Sequence, residues 1–271
     1  MKTHVALVAA SLAALVLAAP AAANPFVPKP DPWPRWQQSG NGANVDYGEW
    51  GAFLDRYRSV GADGVARVAY GKVNRADRAR LDALVERLEA APVDRMTRRQ
   101  QLAYWINLYN AATVRLVIER HPVSSIRKID GGLLALGPWR QKRLTVAGEA
   151  VSLGDIEHRI LRPLHGDARI HFALNCASIG CPDLAAEPFD AARIDAQLEA
   201  AARRFVNHPR GLRLDKGRLV GSSIFDWYAV DFGGKRGVVP ALAKYADDKT
   251  RALLQGRTLI DSFSYDWALN E

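Results

Sequence analysis

Residues 97–120 read TRRQQLAYWINLYNAATVRLVIER, and this stretch decides the fold. Thr97 followed three residues later by Gln100 is a capping box, which opens a helix by satisfying its first unpaired N–H groups. Leu102, Trp105, Ile106, Tyr109, Thr113, Leu116 and Val117 then form an apolar face wide enough to predict the central buried helix of the domain. Asn107 and Asn110 interrupt it. Asparagine is a poor helix-interior residue, and at i,i+3 the two share one side. Left unpartnered in a core, each amide would cost about 1–3 kcal/mol. Two roles are open to them: tying the helix to a neighbouring loop, or orienting a catalytic side chain or ligand. The helix stops at His121-Pro122, where the histidine reads as a surface stop.

Working outward, Trp50, Phe53, Leu54 and Tyr57 mark one face of an earlier helix. A second begins at Asn74, an acceptable N-cap, buries Leu81, Leu84, Val85 and Leu88, and stops at Pro92. Beyond the central helix, Gly131, Gly132, Gly137 and Pro138 mark loop. Arg143–Val151 reads as a hairpin turning at Ala147-Gly148-Glu149. Ser152-Leu153-Gly154-Asp155 resembles a capping box with Asp for Glu. It starts a short helix carrying Glu157 and His158, which is expected to break at Arg162-Pro163. Ile170–Leu174 reads as a buried strand, and Ile194, Leu198, Ala202 and Phe205 as an amphipathic helix. Leu212–Leu214 and Leu219–Val220 flank a turn at Asp215-Lys216-Gly217. Ser223–Phe232 is aromatic-dense and helical in pattern, capped by Ser223 with Asp226 and ended by Gly233. Short helices at Val238–Tyr245 and Lys249–Leu254 and a closing strand at Thr258–Phe263 complete the series. The mixture predicts one α+β domain, residues 45–271, with mainly antiparallel hairpins packed with several helices around residues 97–120.

Residues 1–23 have the pattern of a cleaved signal peptide: Lys2, an apolar run Val5–Leu17, and Ala21-Ala22-Ala23 before Asn24. The run is too short to span a bilayer, no later segment is apolar enough, and the expectation is a periplasmic or secreted protein. Residues 24–44, rich in Pro, Gly and Asn, read as an extended or mobile leader that Trp33 and Trp36 lay against the body. The chain has 271 residues and a net charge of +8. Its arginines are spread among acids, with no basic block interleaved with aromatics, which argues against nucleic-acid binding.

Both cysteines lie in Arg169–Pro182, RIHFALNCASIGCP. As a nucleophile, Cys176 needs a base: His158 or His171, oriented by Asn107, Asn110 or Glu157, with the Ala177 and Ser178 amides as oxyanion donors. In a regular strand His171 and Asn175 share a face and Cys176 points away, so His171 reaches Cys176 only if the chain turns at Asn175. The alternatives are a Cys176–Cys181 disulfide, which four intervening residues allow, or an inert buried thiol. A zinc site from His158, His165, His171, Cys176 and Cys181 matches no standard spacing. No metal or cofactor is implied. Asn175, Ser178, Cys181, Arg162, Trp227 and Asp231 are the further binding candidates, although the Trp227-Tyr228 and Asp231-Phe232 cluster reads first as core and helix cap and only second as a ligand platform.

Five strings, QLAYWINLYNAATVRLVI, VSLGDIEHRILRP, RIHFALNCASIGCPDL, SIFDWYAVDF and SYDWALN, resemble in order the successive blocks of domain-of-unknown-function family 547, from about Tyr70 to Asn270. Bacteria export many members, and plants carry the domain behind a coiled coil that this chain lacks. The resemblance implies no established activity. It singles out Asn107, Asn110, Glu157, His158, His171 and Cys176. In the plant pattern the position of Cys181 can be serine, which implies separate roles for the two sulfurs. Two functions follow as expectations. One is an exported thiol-dependent hydrolase or acyl transferase. The other is a non-catalytic binding or scaffold domain, shaped by a Cys176–Cys181 bridge, for a small molecule, a peptide or an envelope polymer.

Overall fold

Helix α3 (Arg98–Arg120) carries the fold, and from Gln101 to Val114 every one of its side chains is buried. A helix buried on all sides must be wrapped by other elements rather than laid on a surface. The computed structural model describes residues 29–130 and 137–271; the signal-peptide segment and the glycines at 131 and 132 lie outside the described residues. The capping box forms as the sequence predicts, with Thr97 Oγ1 accepting from the Gln100 amide and Gln100 Oε1 from the Thr97 amide. Against α3 pack α1 (Gly48–Tyr57) and α2 (Arg75–Glu89), the latter capped by Asn74 and burying Leu81, Leu84, Val85 and Leu88. A hairpin of β1 (Arg58–Val60) and β2 (Ala66–Val68), absent from the sequence reading, joins α1 to α2.

A second antiparallel hairpin pairs β3 (Lys142–Val146) with β4 (Glu149–Ser152), Leu144 opposite Val151. Its turn residues Ala147 and Gly148 both take positive φ, which matches the twist of the flanking strands. The chain then runs through α4 (Leu153–Asp155), a π-helical turn Ile156–Leu161, and α5 (Arg162–His165). The expected break at Arg162-Pro163 does not occur. Proline has no N–H, and the wider π turn absorbs the missing bond; the helix ends instead at left-handed Gly166. The carbonyls left over are taken from outside: His158 O accepts from the Asp31 amide and Arg159 O from the Trp33 amide.

That contact fastens the described part of the leader. Trp36 is buried edge-on against Trp105, with ring centroids 5.1 Å apart. Gly40 N and Gly42 N donate to Met96 O and Arg95 O. A Cβ at Gly40 would lie 2.4 Å from the Arg95 carbonyl oxygen, so only glycine permits this approach.

The second half holds α6 (Ile194–Val206), the β5 (Leu212–Asp215) and β6 (Arg218–Ser222) hairpin, α7 (Ile224–Trp227), α8 (Lys235–Ala243) and α9 (Asp248–Leu254). They surround an aromatic core of Phe172, Phe205, Phe225 and Phe232. The closing strand β7 (Ser262–Ser264) is shorter than expected and pairs parallel with β6. Ser223 makes no side-chain cap for α7, and Ser222 Oγ accepts from the Ile224 amide instead. Helices mixed with small, mainly antiparallel sheets make this an α+β fold.

The strand expected at Ile170–Leu174 is a 3-10 helix, Ala168–Phe172. Asp167 caps it by accepting from the Arg169 amide, and Ala173 N and Leu174 N both donate back to Ile170 O. Short apolar runs carry the same pattern whether they are strand or buried turn. The chain beyond it, from Ala173 to Phe189, has no regular structure, and α3 supplies its partners. Asn110 Nδ2 donates to Ala173 O at 2.9 Å and Asn110 Oδ1 accepts from Asn175 N at 2.9 Å. Asn107 does the same with Phe189, at 2.8 and 2.9 Å. Both amides therefore bind loop backbone, and neither holds an imidazole.

Asn110→Ala leaves two buried backbone groups unpaired at about 1–3 kcal/mol each. The expected loss of stability in denaturant unfolding is about 2–5 kcal/mol. A loss below about 1 kcal/mol would show that the loop holds itself without this clamp.

Candidate functional site

Two groups of polar side chains meet where the π-helical turn, the 3-10 helix and the chain after β6 converge. The first is built on Asp231. The Ser152–Asp155 capping box starts α4, and Lys142 Nζ reaches Asp155 Oδ2 at 2.5 Å to fix that end. One helical repeat later, Glu157, His158 and Arg162 face the second half of the chain. Arg162 Nε and Nη2 donate to Asp231 Oδ2 and Oδ1 at 2.6 and 3.1 Å, and the Arg162 side chain is 1% exposed. His171 Nε2 lies 2.7 Å from Asp231 Oδ2. An ionised carboxylate only accepts, so His171 carries its proton on Nε2 and turns Nδ1 toward Glu157 Oε1, 3.9 Å away.

Burial pushes the Asp231 carboxyl up, but the bonds from His171 and Arg162 outweigh it and hold the pKa down to about 2. Burial lowers His158, opposed by the Glu157 carboxylate and reinforced by the Arg162 cation. Its Nδ1 lies 3.2 Å from Arg162 Nη1, which is the arrangement of a neutral imidazole accepting there. The Tyr228 ring stacks on His171 with centroids 3.9 Å apart and lies 5.0 Å from the Arg162 guanidinium carbon. Burial, and then Glu157, raise the Tyr228 phenol well above its ordinary value.

The second group is the cysteine loop. The Cys176 and Cys181 sulfurs are at disulfide distance, with Cα atoms 6.1 Å apart. Asn175 spans the loop: its Oδ1 accepts from Ala177 N at 2.9 Å and its Nδ2 donates to Pro182 O at 2.8 Å. This holds Ala177 at a φ of 58°. Arg210 Nη1 donates to Ile179 O at 2.8 Å and Cys181 O at 2.7 Å, while its Nη2 meets Asp183 at 2.7 Å. The C-terminal tail closes the other side, with Gly180 N on Asp266 O and Ile179 N on Ala268 O. Tyr265 Oη lies 3.0 Å from Cys176 Sγ and 3.2 Å from Cys181 Sγ.

The catalytic arrangement expected around Cys176 is not assembled. Its sulfur is bonded by Cys181, Tyr265 and Ser178, and both histidines are engaged by the Asp231–Arg162 pair. The Ala177 amide, an expected oxyanion donor, already donates to Asn175. Because residues 168–172 are helical, His171 and Asn175 do not share a strand face; the first meets Asp231 and the second ties the loop. Among the described residues no three His, Cys, Asp or Glu side chains are grouped to hold a metal ion.

Glu157 lies between the two groups, acting electrostatically on Tyr109, Tyr228 and Tyr265 and holding each phenol protonated together with burial. Beside it runs a half-buried aromatic wall. Trp227 is stacked 5.6 Å from Trp267, Tyr265 is 4.5 Å from Trp267 and 4.9 Å from Trp227, and Trp139 meets Trp267 edge-on at 5.9 Å. Tyr228, Tyr265, Trp139 and Arg210 escaped the sequence reading as site residues. The blocks SIFDWYAVDF and SYDWALN contain the two tyrosines, with Trp227 and Trp267, but no local spacing links them to Cys176. A cleft of about 590 Å³ between α2, α3 and β3 is lined by mixed charges such as Arg78, Glu86 and Arg115 and includes none of the cysteine loop or the Asp231 cluster.

Residues 93–206 match the model of the family described as Protein of unknown function, DUF547. The DUF547 match takes in Asn107, Asn110, Glu157, His158, Arg162, His171 and both cysteines, and ends before Tyr228, Asp231 and Tyr265. No curated protein and no solved structure matches the chain.

Asp231 has a folded pKa below its unfolded value, so its contribution to stability is complete above pH ~4 and is lost as the pH falls toward ~2. Asp231→Asn removes that contribution and leaves Arg162 buried without its carboxylate, an expected cost of about 3–5 kcal/mol at pH 7. The gap between wild type and variant in urea unfolding should narrow between pH 4 and pH 2. A gap independent of pH would show that Asp231 is not the charged partner.

Proposed function

We propose that this chain is an exported binding domain, with no thiol nucleophile acting on its ligand, whose aromatic wall recognises a glycan strand of the cell envelope. One observation carries the reading: the Cys176 sulfur faces Cys181 and Tyr265 rather than an imidazole. A thiol nucleophile needs a base within hydrogen-bond reach, and both candidates are committed to the Asp231–Arg162 pair. The bridge then closes a short loop beside the aromatic wall. By chain entropy such a short loop gains only about 2 kcal/mol, which suits a local rather than a global role.

The lining supports a glycan as the occupant. Binding sites combine apolar and aromatic surface with a few placed polar groups. Trp227, Tyr265, Trp267 and Trp139 offer flat aromatic faces, on which the C–H faces of a pyranose ring can stack. Among the polar groups nearby, His158 is the half-buried one able to meet its hydroxyls, while Glu157 and Ser178 are buried behind the wall. Arg127 covers part of Trp267, its guanidinium carbon 5.1 Å from the ring centroid, which leaves Trp227, Tyr265 and Trp139 as the other half-buried rings of the wall. The signal-peptide pattern of residues 1–23 would deliver the chain to the compartment where such polymers lie.

Titration with soluble N-acetylglucosamine oligomers, followed by tryptophan fluorescence, tests this. Saturable quenching is expected, with Trp267→Ala weakening binding about tenfold or more as a central aromatic contact is lost. Absence of saturable binding to the oligomers and to isolated envelope glycan would overturn the proposal. Equal affinity in the variant would remove the aromatic wall from it.

A further inference from the structure

The two sulfurs of the loop are not equivalent, and their difference has a chemical direction. Cys176 is half-buried, while Cys181 is 4% exposed. The buried one takes a backbone donor, and the Tyr265 hydroxyl is shared between the two. Cys176 N–H points at Cys181 Sγ from 2.9 Å, and the Tyr265 hydroxyl lies 3.2 Å from the same atom. The Arg210 guanidinium, paired with Asp183, fixes the Cys181 backbone through its carbonyl at 2.7 Å. A sulfur that is accessible, joined to one that is inaccessible and met by a backbone donor, is the geometry of an attacked sulfur and its leaving group.

We infer that the Cys176–Cys181 bridge is a thiol–disulfide exchange site, opened by attack at Cys176 with Cys181 as the leaving thiolate. The co-reactant is a thiol of the surrounding compartment, either a small thiol or a protein dithiol. Its thiolate forms a bond to Cys176 Sγ, the Sγ–Sγ bond breaks, and the electron pair leaves on Cys181. There the Cys176 amide and the Tyr265 hydroxyl meet the developing charge. A second thiolate then attacks the mixed disulfide at the sulfur of the first. This releases an external disulfide and leaves Cys176 as a thiolate. Two external thiols are oxidised, the bridge is reduced by two electrons, and the two thiol protons end on Cys176 and Cys181. Tyr265, 3.0 Å from Cys176 Sγ, is placed to donate to either sulfur as the charge moves.

The surrounding loop is built to survive the opening. Asn110, Asn175, Arg210 and the tail at Asp266–Ala268 hold its backbone without help from the bridge. Exchange therefore changes the chemistry of the loop with little change to its course. The inference does not depend on which ligand the aromatic wall takes, and glycan titration and thiol exchange can fail separately.

The test uses the folded full-length chain. Brief treatment with limiting glutathione, acid quenching, alkylation of free thiols and peptide mass mapping should place glutathione on Cys176 and the alkyl group on Cys181. In Tyr265→Phe, which keeps the ring, opening by dithiothreitol at fixed pH should slow about tenfold, the value of one hydrogen bond to a charged group. Attachment of glutathione at Cys181, no opening in the folded chain, or an unchanged rate in the phenylalanine variant would each overturn the inference.

Discussion

Two side-chain amides on one helix hold the part of the chain that has no secondary structure of its own. A primary amide presents one acceptor and two donors, so it can stand in for a peptide group and pair with backbone at two points. Asn110 pairs in this way around Leu174, and Asn107 with Phe189. Between those points the chain can follow a path that no strand or helix would allow, including the left-handed Ala177 and the close packing of Gly180. A Cβ at Gly180 would lie 2.8 Å from Asp266 N. Asparagine in a helix interior costs a few tenths of a kcal/mol against a good helix former, roughly the scale of propensity differences, while the bonds it makes here protect four buried backbone groups. The loop's geometry therefore depends on α3 being rigid and buried.

The same reasoning explains what could be read from the sequence. Helices α2 and α3 were legible because their signals are local: Asn74 and Thr97 as caps, and apolar residues recurring at helical spacing. Both later hairpins were legible from Ala147-Gly148 and Lys216-Gly217. Ile170–Leu174 was not, because a run of apolar residues has no period when every side is buried, and a cap by Asp167 weighs little beside it. Pro163 misled for a different reason. Its missing N–H breaks a regular helix, but the π-helical turn and the leader amides at Asp31 and Trp33 compensate from outside the local sequence. Among the site residues, Glu157, His158, Arg162, His171 and Asp231 were singled out and do come together. Their grouping with one another, rather than with Cys176, is a property of packing between segments some 70 residues apart.

The Asp231 network also bears on why the site exists. Replacing a buried ion pair by well-packed apolar residues is often neutral or stabilising, so such a pair is weak support for a stability role. Here an arginine, an aspartate, a glutamate and two histidines are concentrated within a few ångströms, next to half-buried aromatics. Concentrations of this kind are expected where a protein meets a ligand rather than where it merely folds. Three protonated tyrosines around Glu157 join the charge network to the cysteine loop, so the two groups form one continuous polar floor.

That floor is completed by residues outside the segment matched by the DUF547 model. Within 93–206, Arg162 and His171 are buried, yet their carboxylate comes from position 231. Phe172 likewise packs against Phe225 and Phe232. A chain ending near Val206 would strip Arg162 and His171 of the Asp231 carboxylate and the aromatic core of half its rings. Each of those deficits costs several kcal/mol, a large share of the 5–15 kcal/mol by which domains are typically stable. The matched segment is therefore the half of the site that carries Cys176 and the asparagine clamp, and its chemistry is set by the half that follows.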